Sequence, residues 1–143
     1  MSIALIEFFV ELYLVPSLKT HTSIVLVGLV WTCIGECIRK VAMITAKQSF
    51  THLIKDNKRE EHKLITHGIY KYVRHPGYFG WFLWSVGGQV LLCNPLCVLL
   101  FTAWSWYFFN DRIPYEEEQL VKLFGQSYRD YKSRTPTYIP FIQ

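Results

Sequence analysis

The stretch "LLCNPLC" (residues 91–97) interrupts a long apolar run, residues 78–109, that contains no charged side chain. A run of about 32 residues is too long for one membrane span, because a helix rises about 1.5 Å per residue and a bilayer core is about 30 Å thick. Pro95 suits the first turn of a new helix, and Asn94 suits its N-cap. The stretch therefore predicts a helical hairpin with two arms, residues 78–92 and 95–109.

The composition favours a membrane protein. Of the 143 residues, 51% are hydrophobic and 17% are aromatic, which is more than a soluble domain of this length usually needs. Apolar segments also occur at residues 3–15 and 23–38. The first carries Glu7 and Glu11 one turn apart, so we expect a membrane or interfacial helix whose acidic stripe faces protein or water and which ends near Pro16. The predicted fold is an all-α integral membrane protein with about four membrane helices.

The placement of charge predicts the topology. Residues 39–74 carry nine lysines and arginines against three acids, and the net charge of the chain is +4. By the positive-inside rule this loop is cytosolic. Because the hairpin returns the chain to the same face, the polar tail is expected there too, so the loop and the tail share one surface. We therefore divide a single domain, 1–143, into N-terminal helices (1–45), a cytosolic loop (46–77), the hairpin (78–109) and a cytosolic tail (110–143).

Cys33 and Cys37 form one CxxxC pair, and Cys93 and Cys97 form another. Both pairs lie in apolar sequence without a histidine pair nearby, so we expect buried free thiols and no metal site. Nothing in the chain resembles a nucleic-acid-binding module, whereas the net positive charge is compatible with an anionic membrane surface.

The tail predicts a short helix that begins with three acids, residues 116–118, and ends at Gly125. Several aromatic and cationic residues at the segment boundaries are interpreted as interfacial or positive-inside anchors: Arg74, Trp81, Trp84, Tyr128, Tyr131 and Tyr138.

Polar side chains cluster at both ends of the predicted hairpin. His62, Tyr70 and His75 precede or open its first arm, and Arg112 with two acids, Glu116 and Glu117, follows the second. Each taken alone would be explained by a snorkelling cation, a helix cap or an interfacial aromatic belt. Because both ends of one hairpin carry them, we expect them to lie together at one site.

Four segments together resemble the isoprenylcysteine carboxyl methyltransferases: "HKLITHGIYKYVRHPGYFGW" (62–81), "CNP" (93–95), "FFNDR" (108–112) and "EEEQLVKLFGQSYRDYKSRTPTYIPFI" (116–142). Membrane sterol reductases and phospholipid methyltransferases share segments similar to RHPxYxG. The combination, in this order, is similar to the isoprenylcysteine enzymes across nearly the whole chain.

The resemblance implies an S-adenosylmethionine-dependent enzyme of the endoplasmic reticulum membrane with its active site facing the cytosol. It also implies that the loop (46–77) is a cofactor loop and the tail (110–143) a catalytic tail, and that the two together form the cofactor site. Its substrates would be the C-terminal prenylcysteine carboxylates of CaaX-processed proteins such as small GTPases. The resemblance assigns cofactor contacts to Lys55, His62, Lys63, Leu64, Ile65, Tyr70, His75, Pro76, Gly77, Tyr78 and Glu116. It assigns Arg112 to the substrate and, with Glu116, to catalysis. Lys55 departs from the family pattern, since relatives such as the mammalian enzyme carry a glutamine there.

The chemistry suits these residue types. A C-terminal carboxyl group has a pKa of about 3.5, so it is ionised at neutral pH. It is then already a nucleophile and needs no general base. The protein has to align it, exclude water and supply a cation, for which Arg112 is suited. Glu116 could pair with the cofactor's ammonium group, Tyr70 and Tyr78 could offer ring faces to its sulfonium, and His75 is assigned to positioning by a hydrogen bond.

Two other enzyme classes and a scaffold stay open. An NADPH-dependent sterol reductase would use the basic cluster at Lys55, Lys58 and Arg59 for a 2′-phosphate, although the acids after Arg112 fit the methyltransferase better. A phospholipid N-methyltransferase acts on an amine and has no use for a cation such as Arg112 beside the acceptor. A lipid-binding scaffold explains the charge and the aromatic residues, but not why the polar residues at both hairpin ends occur together.

Overall fold

The computed structural model describes residues 2–46 and 64–142, and every regular element in those ranges is a helix. The all-α class is therefore confirmed. The elements are α1 (Ser2–Leu14), a 3₁₀ helix (Pro16–Thr20), α2 (Thr22–Ala46), a second 3₁₀ helix (Gly68–Lys71), α3 (Pro76–Leu91), α4 (Pro95–Phe124) and α5 (Gln126–Arg134). Across these two ranges, none of the helices combines the length and the apolar composition that a membrane crossing requires.

The predicted hairpin turn lies where α3 ends and α4 begins, with Pro95 in the first turn of α4. Asn94 occupies the predicted N-cap position, but its side chain makes no capping hydrogen bond. A carboxylate from α1 takes its place: Glu7 accepts hydrogen bonds from the backbone N–H groups of Leu96 and Cys97, each at 2.7 Å. The acidic stripe of α1 thus faces protein, and it offsets the positive end of the α4 dipole.

Lys19 stabilises the other side of the same turn. Its ammonium group donates to the carbonyls of Leu92 and Cys93 at 3.0 and 2.9 Å, and it forms an ion pair with Glu11 at 2.6 Å. It also donates to the Asn94 side-chain oxygen at 2.8 Å. A buried cation thus satisfies the carbonyl end of α3, where the helix dipole is negative.

The second arm of the hairpin is longer than predicted. The expected end at residue 109 and the separate helix starting at residue 116 are both wrong, because α4 continues without interruption through Pro114 to Phe124. Proline lacks an N–H, so the carbonyl of Asn110 loses its usual helical partner, but Asn110 is exposed and the helix persists. Gly125, with φ of +58°, ends α4 as predicted.

Helices α2 and α3 pack backbone against backbone through glycines. A Cβ atom at Gly35 would lie 2.5 Å from the amide nitrogen of Trp84, and one at Gly80 would lie 2.6 Å from the carbonyl oxygen of Gly35. The arrangement repeats seven residues away on each helix, at Gly28 and Gly87. Small residues permit this approach, so the pair is fixed along most of α3.

The main apolar cluster joins α3, α4 and the tail. Its buried members are Phe82, Val86, Phe109, Ile113, Ile139 and Ile142. The Trp106 indole donates to the Pro140 carbonyl at 2.7 Å, so the tail returns along α4.

The prediction of buried free thiols is correct for one of the two cysteine pairs. Cys93 and Cys97 are buried free thiols, whereas Cys33 and Cys37 are exposed, so the expectation of burial is wrong for that pair. Within residues 2–46 and 64–142, no group of histidine, cysteine and acidic side chains could hold a metal ion.

We predict that Gly80→Ala lowers the free energy of unfolding by about 1–3 kcal/mol, because the new methyl group overlaps the α2 backbone. Gly88→Ala is the matched control, since a Cβ there meets nothing within 4 Å and alanine favours helix by up to about 1 kcal/mol. Thermal and denaturant unfolding in detergent measure both. Equal losses for the two variants would contradict the close-packing argument.

Lys19→Met is expected to lower the free energy of unfolding by about 3–5 kcal/mol, because it leaves the mostly buried Glu11 carboxylate and the α3 carbonyls without their cation. Denaturant unfolding in detergent measures this loss. Lys40→Met is the control: Lys40 forms an exposed pair with Glu36, and its loss should change stability by less than about 0.5 kcal/mol. A loss at Lys19 no larger than at Lys40 would show that the buried pair does not stabilise the turn.

Candidate active site

The site begins where the second 3₁₀ helix leads into α3. Pro76 stands in the first turn of α3 and restricts the preceding His75 to a non-helical conformation, with φ of −124° and ψ of 65°. The His75 ring is buried and stacks on Tyr78, with ring centroids 5.6 Å apart and an interplanar angle of 17°. The start of α3 thus sets two adjacent rings against α4.

Helix α4 contributes the opposing charges. Arg112 and Glu116 lie one turn apart, and the Tyr78 hydroxyl donates to Glu116 Oε2 at 2.5 Å. Arg112 Nε donates to the same hydroxyl at 3.4 Å. The structure therefore brings together Tyr78, Arg112 and Glu116, as their positions at the two hairpin ends predict; their roles stay predictions.

The segment before α3 supplies a further predicted residue, Tyr70. Burial, and secondarily the charge of Glu116, raises the pKa of the Tyr70 hydroxyl to about 12, so it stays protonated at neutral pH. The Tyr131 hydroxyl donates to the Tyr70 carbonyl at 2.7 Å. This hydrogen bond holds the backbone at Tyr70 against α5.

Four of the remaining predicted cofactor residues lie within the described part of the chain. Leu64 and Ile65 are half-buried in the segment before the second 3₁₀ helix. Pro76 is fully buried and Gly77 is half-buried in the first turn of α3. Outside the described residues lie Lys55, His62 and Lys63.

Glu117, which was expected at the site but to which the resemblance assigns no role, occupies the interior of the site. Its side chain is only 3% exposed. Oε1 accepts from Arg74 Nε at 2.5 Å and lies 3.1 Å from His75 Nε2, and Oε2 lies 2.6 Å from the Lys132 ammonium. Burial alone would raise the pKa of Glu117, but hydrogen bonds from His75 and Lys132 and the charges of His75 and Arg74 lower it to about 2.

The ionised Glu117 carboxylate also determines which ring nitrogen of His75 carries a hydrogen. A carboxylate can only accept, so His75 Nε2 keeps its hydrogen and donates a hydrogen bond to Glu117. The other ring nitrogen, Nδ1, lies 4.0 Å from Glu116. His75 therefore stands between the two neighbouring acids of α4.

Arg74 corrects a prediction. It is a buried structural cation with 3% side-chain exposure, not a positive-inside residue at the membrane surface. Besides Glu117, its guanidinium donates to the carbonyls of Lys132, at 3.2 Å, and Thr135. Its backbone N–H donates to the Pro136 carbonyl at 2.9 Å, so Arg74 fastens the tail to the start of α3.

Several aromatic residues that were expected to be interfacial anchors are buried or half-buried. Tyr128 and Tyr131 are 1% and 3% exposed, so they are core residues of α5 and not interfacial anchors. Trp81 is half-buried and packs edge-on against the Phe109 ring at 5.3 Å. Trp84 and Tyr138 are exposed, and their anchoring role stays a prediction.

Comparison with known proteins assigns the family. The model of the isoprenylcysteine carboxyl methyltransferase family matches residues 26–122, which is more than half of the chain. The chain belongs to this family. It is 49% identical over 143 residues to a probable protein-S-isoprenylcysteine O-methyltransferase of Oryza sativa subsp. japonica, a match that covers 100% of this chain and 75% of the rice protein.

Other isoprenylcysteine carboxyl methyltransferase relatives are longer. The Xenopus laevis protein-S-isoprenylcysteine O-methyltransferase is 46% identical over 138 residues, covering 96% of this chain and 48% of its own length. A solved structure of a eukaryotic intramembrane Ras methyltransferase of the family matches with a TM-score of 0.95 and 46% identity, over 97% of this chain and 50% of that one. The chain thus spans about half the length of these two relatives.

In this family member a sequence signal for Glu117 does exist. Phe109, Ile113 and Glu117 follow one another at intervals of four and are all buried, so they share one face of α4. The pattern is visible only if the helix is assumed to pass through Pro114. Proline usually interrupts a helix, and in the predicted short helix that begins at residue 116 Glu117 is one of three first-turn acids.

We predict that acidification destabilises the protein through Glu117. Its pKa falls from an ordinary value of 4.5 to about 2 on folding, so its stabilisation is complete above the ordinary value and is lost as the pH falls through that interval. Between about pH 6 and about pH 3, the wild type should therefore lose more unfolding free energy than the Glu117→Gln variant. Denaturant titrations in detergent at both pH values measure this, and parallel losses would contradict it.

Proposed function

We propose that this chain transfers a methyl group from S-adenosylmethionine to the C-terminal prenylcysteine carboxylate of a CaaX-processed protein. The observation that carries the proposal is the pairing of Arg112 and Glu116 on one turn of α4, both within hydrogen-bond reach of the Tyr78 hydroxyl. The site thus offers a cation for a carboxylate acceptor beside an anion for a cationic methyl donor.

On the acceptor side, the reaction requires no proton transfer by the protein. The prenylcysteine carboxylate is ionised at neutral pH, so it attacks without a general base. Arg112 is half-buried, and its guanidinium can hold both carboxylate oxygens in a planar fork. The role of Arg112 is to hold the carboxylate in one position and orientation for attack on the methyl group.

On the donor side, the residues fit S-adenosylmethionine. Bound there, the cofactor supplies an electrophilic methyl group. Glu116 is 27% exposed, so unlike the buried Glu117 it can reach a ligand's ammonium group. Tyr70 and Tyr78 place electron-rich rings near that carboxylate, an arrangement that suits a sulfonium. His75 contributes by holding Tyr78 through ring stacking, and we give it no proton-transfer role.

The proposal extends to the setting of the reaction. We place the chain in the endoplasmic reticulum membrane, with about four membrane helices including the hairpin, and with its active site facing the cytosol. The lipid-borne substrate supports the membrane location, and the basic residues between positions 39 and 74 support the orientation. The partners we infer are prenylated CaaX proteins such as small GTPases, together with membrane lipid.

The test is methyl incorporation from labelled S-adenosylmethionine into N-acetyl-S-farnesylcysteine by the purified chain in lipid nanodiscs. Arg112→Ala should lower kcat/KM for the acceptor by about 100-fold, because it removes a charge-assisted contact to the nucleophile. Arg112→Lys should fall in between, since it keeps the charge but not the fork. Arg129→Ala, an exposed arginine on α5, is the matched control and should retain wild-type activity.

Three further acceptors separate the alternatives. A sterol with NADPH tests the reductase, phosphatidylethanolamine tests the phospholipid N-methyltransferase, and the amide of N-acetyl-S-farnesylcysteine should accept no methyl group. Turnover of the sterol or the amine, with none of the prenylcysteine, would replace the proposal. Equal activity of Arg112→Ala and Arg129→Ala would remove Arg112 from the site.

A further inference from the structure

Glu117 combines complete burial with three cationic or N–H donors that arrive from different parts of the chain. Arg74 and His75 precede α3, and Lys132 belongs to α5, yet their nitrogen atoms lie 2.5, 3.1 and 2.6 Å from the one carboxylate. With 3% exposure, Glu117 has no surface for a ligand. Its contacts must therefore act within the protein.

The first consequence concerns the ring of His75. Because Glu117 Oε1 accepts a hydrogen bond from His75 Nε2, the imidazole cannot rotate about its Cβ–Cγ bond without losing that hydrogen bond. The ring plane that it fixes is the one on which Tyr78 stacks. Tyr78 in turn carries the hydroxyl shared by Glu116 and Arg112. A continuous series of contacts thus joins the buried Glu117 carboxylate to the half-buried charges of Glu116 and Arg112.

The second consequence concerns the tail. Arg74, whose guanidinium is paired with Glu117, also donates to the carbonyls of Lys132 and Thr135 and to that of Pro136 through its backbone. The carboxylate thereby holds the end of α5 and the following segment against the start of α3. Without it, Arg74 would remain buried and unneutralised, which is costly in a low-dielectric interior.

We propose that Glu117 is a positioning residue for methyl transfer, which orients His75 and Tyr78 around the methyl donor and fixes the tail beside them. The inference rests on the function proposed above and assigns that reaction a residue that touches neither ligand. Glu116 and Glu117 are adjacent in sequence but have different roles. Glu117 orients the residues of the site, and Glu116 faces the methyl donor.

The test compares KM for S-adenosylmethionine among nanodisc-embedded variants. KM does not depend on the fraction of folded enzyme, so a merely structural role would lower apparent kcat and leave KM unchanged. Glu117→Gln should raise KM for the donor roughly 10- to 100-fold, the range typical of losing a group that orients a binding side chain. KM for N-acetyl-S-farnesylcysteine should change by less than about threefold, because Arg112 stays on an intact helix.

Two matched variants supply the controls. Glu118→Gln alters the next carboxylate of α4, which is 63% exposed and paired with Lys122, and should leave both KM values unchanged. Lys132→Met removes the donor to Oε2 but leaves the His75 contact in place, so it should lower the unfolding temperature without raising KM for the donor. If Glu117→Gln does not fold, Glu117→Asp keeps the charge and should show a smaller rise in the same KM.

A double-mutant cycle with His75→Ala decides whether Glu117 acts through the imidazole. We expect Glu117→Gln to raise KM for the donor far less in the His75→Ala background than in the wild type, because the contact series is already broken. Additive effects, or an unchanged KM in folded Glu117→Gln enzyme, would overturn the inference while leaving the proposed function standing. If the wild type itself transfers no methyl group to the prenylcysteine, the proposed function is wrong and the inference falls with it.

Discussion

The contact between the backbones of α2 and α3 is the constraint on which the other contacts depend. At Gly35 and Gly80 the two helices approach so closely that a single methyl group on either would overlap the other's main chain. Such a contact has almost no freedom to slide, because the glycines fit only opposite their partners. It fixes α3, and α3 carries His75 at one end and the turn into α4 at the other.

Buried charge at both ends of the hairpin then fixes α4. At the turn, Glu7 and Lys19 each bind the end of a helix whose dipole has the opposite sign, Glu7 at the start of α4 and Lys19 at the end of α3. At the far end, Arg74 and Glu117 join α3 to α4. Between these two sets of polar contacts the packing is largely apolar, and apolar contacts have little direction. The polar ends therefore supply the register that the apolar middle does not specify.

Sequence reasoning succeeded where the physical signal is local. Asn94 and Pro95 locate the turn because proline fits the first turn of a helix, and Gly125 ends α4 because it adopts a positive φ. The grouping of Tyr78, Arg112 and Glu116 could also be predicted, because a hairpin brings its ends together.

The failures share one cause, which is that the partner is distant in sequence. Arg74 resembles any cation near a membrane until Glu117 is known to lie beside it, 43 positions away. Likewise, the local N-cap rule located Asn94 correctly, but the carboxylate that accepts the first hydrogen bonds of α4 comes from Glu7 in α1. The predicted break between residues 109 and 116 is wrong for a related reason: the local penalty of Pro114 is outweighed by the buried contacts of Ile113 and Glu117 on the same helix. Local propensity is weak wherever tertiary contacts hold an element on both sides.

The three consecutive acids of α4 illustrate how a regular helix turns a uniform sequence into distinct chemical roles. Successive residues of a helix point about 100° apart, so three neighbours cannot share one environment. Glu116 faces the Tyr78 hydroxyl and is partly exposed, Glu117 points into the interior, and Glu118 points outward to Lys122. Continuation of the helix through Pro114 is what sets these directions, because a break there would free the acids to turn together toward solvent. The division between a ligand-facing carboxylate and a buried one is therefore a consequence of backbone geometry, and the side chains themselves are identical.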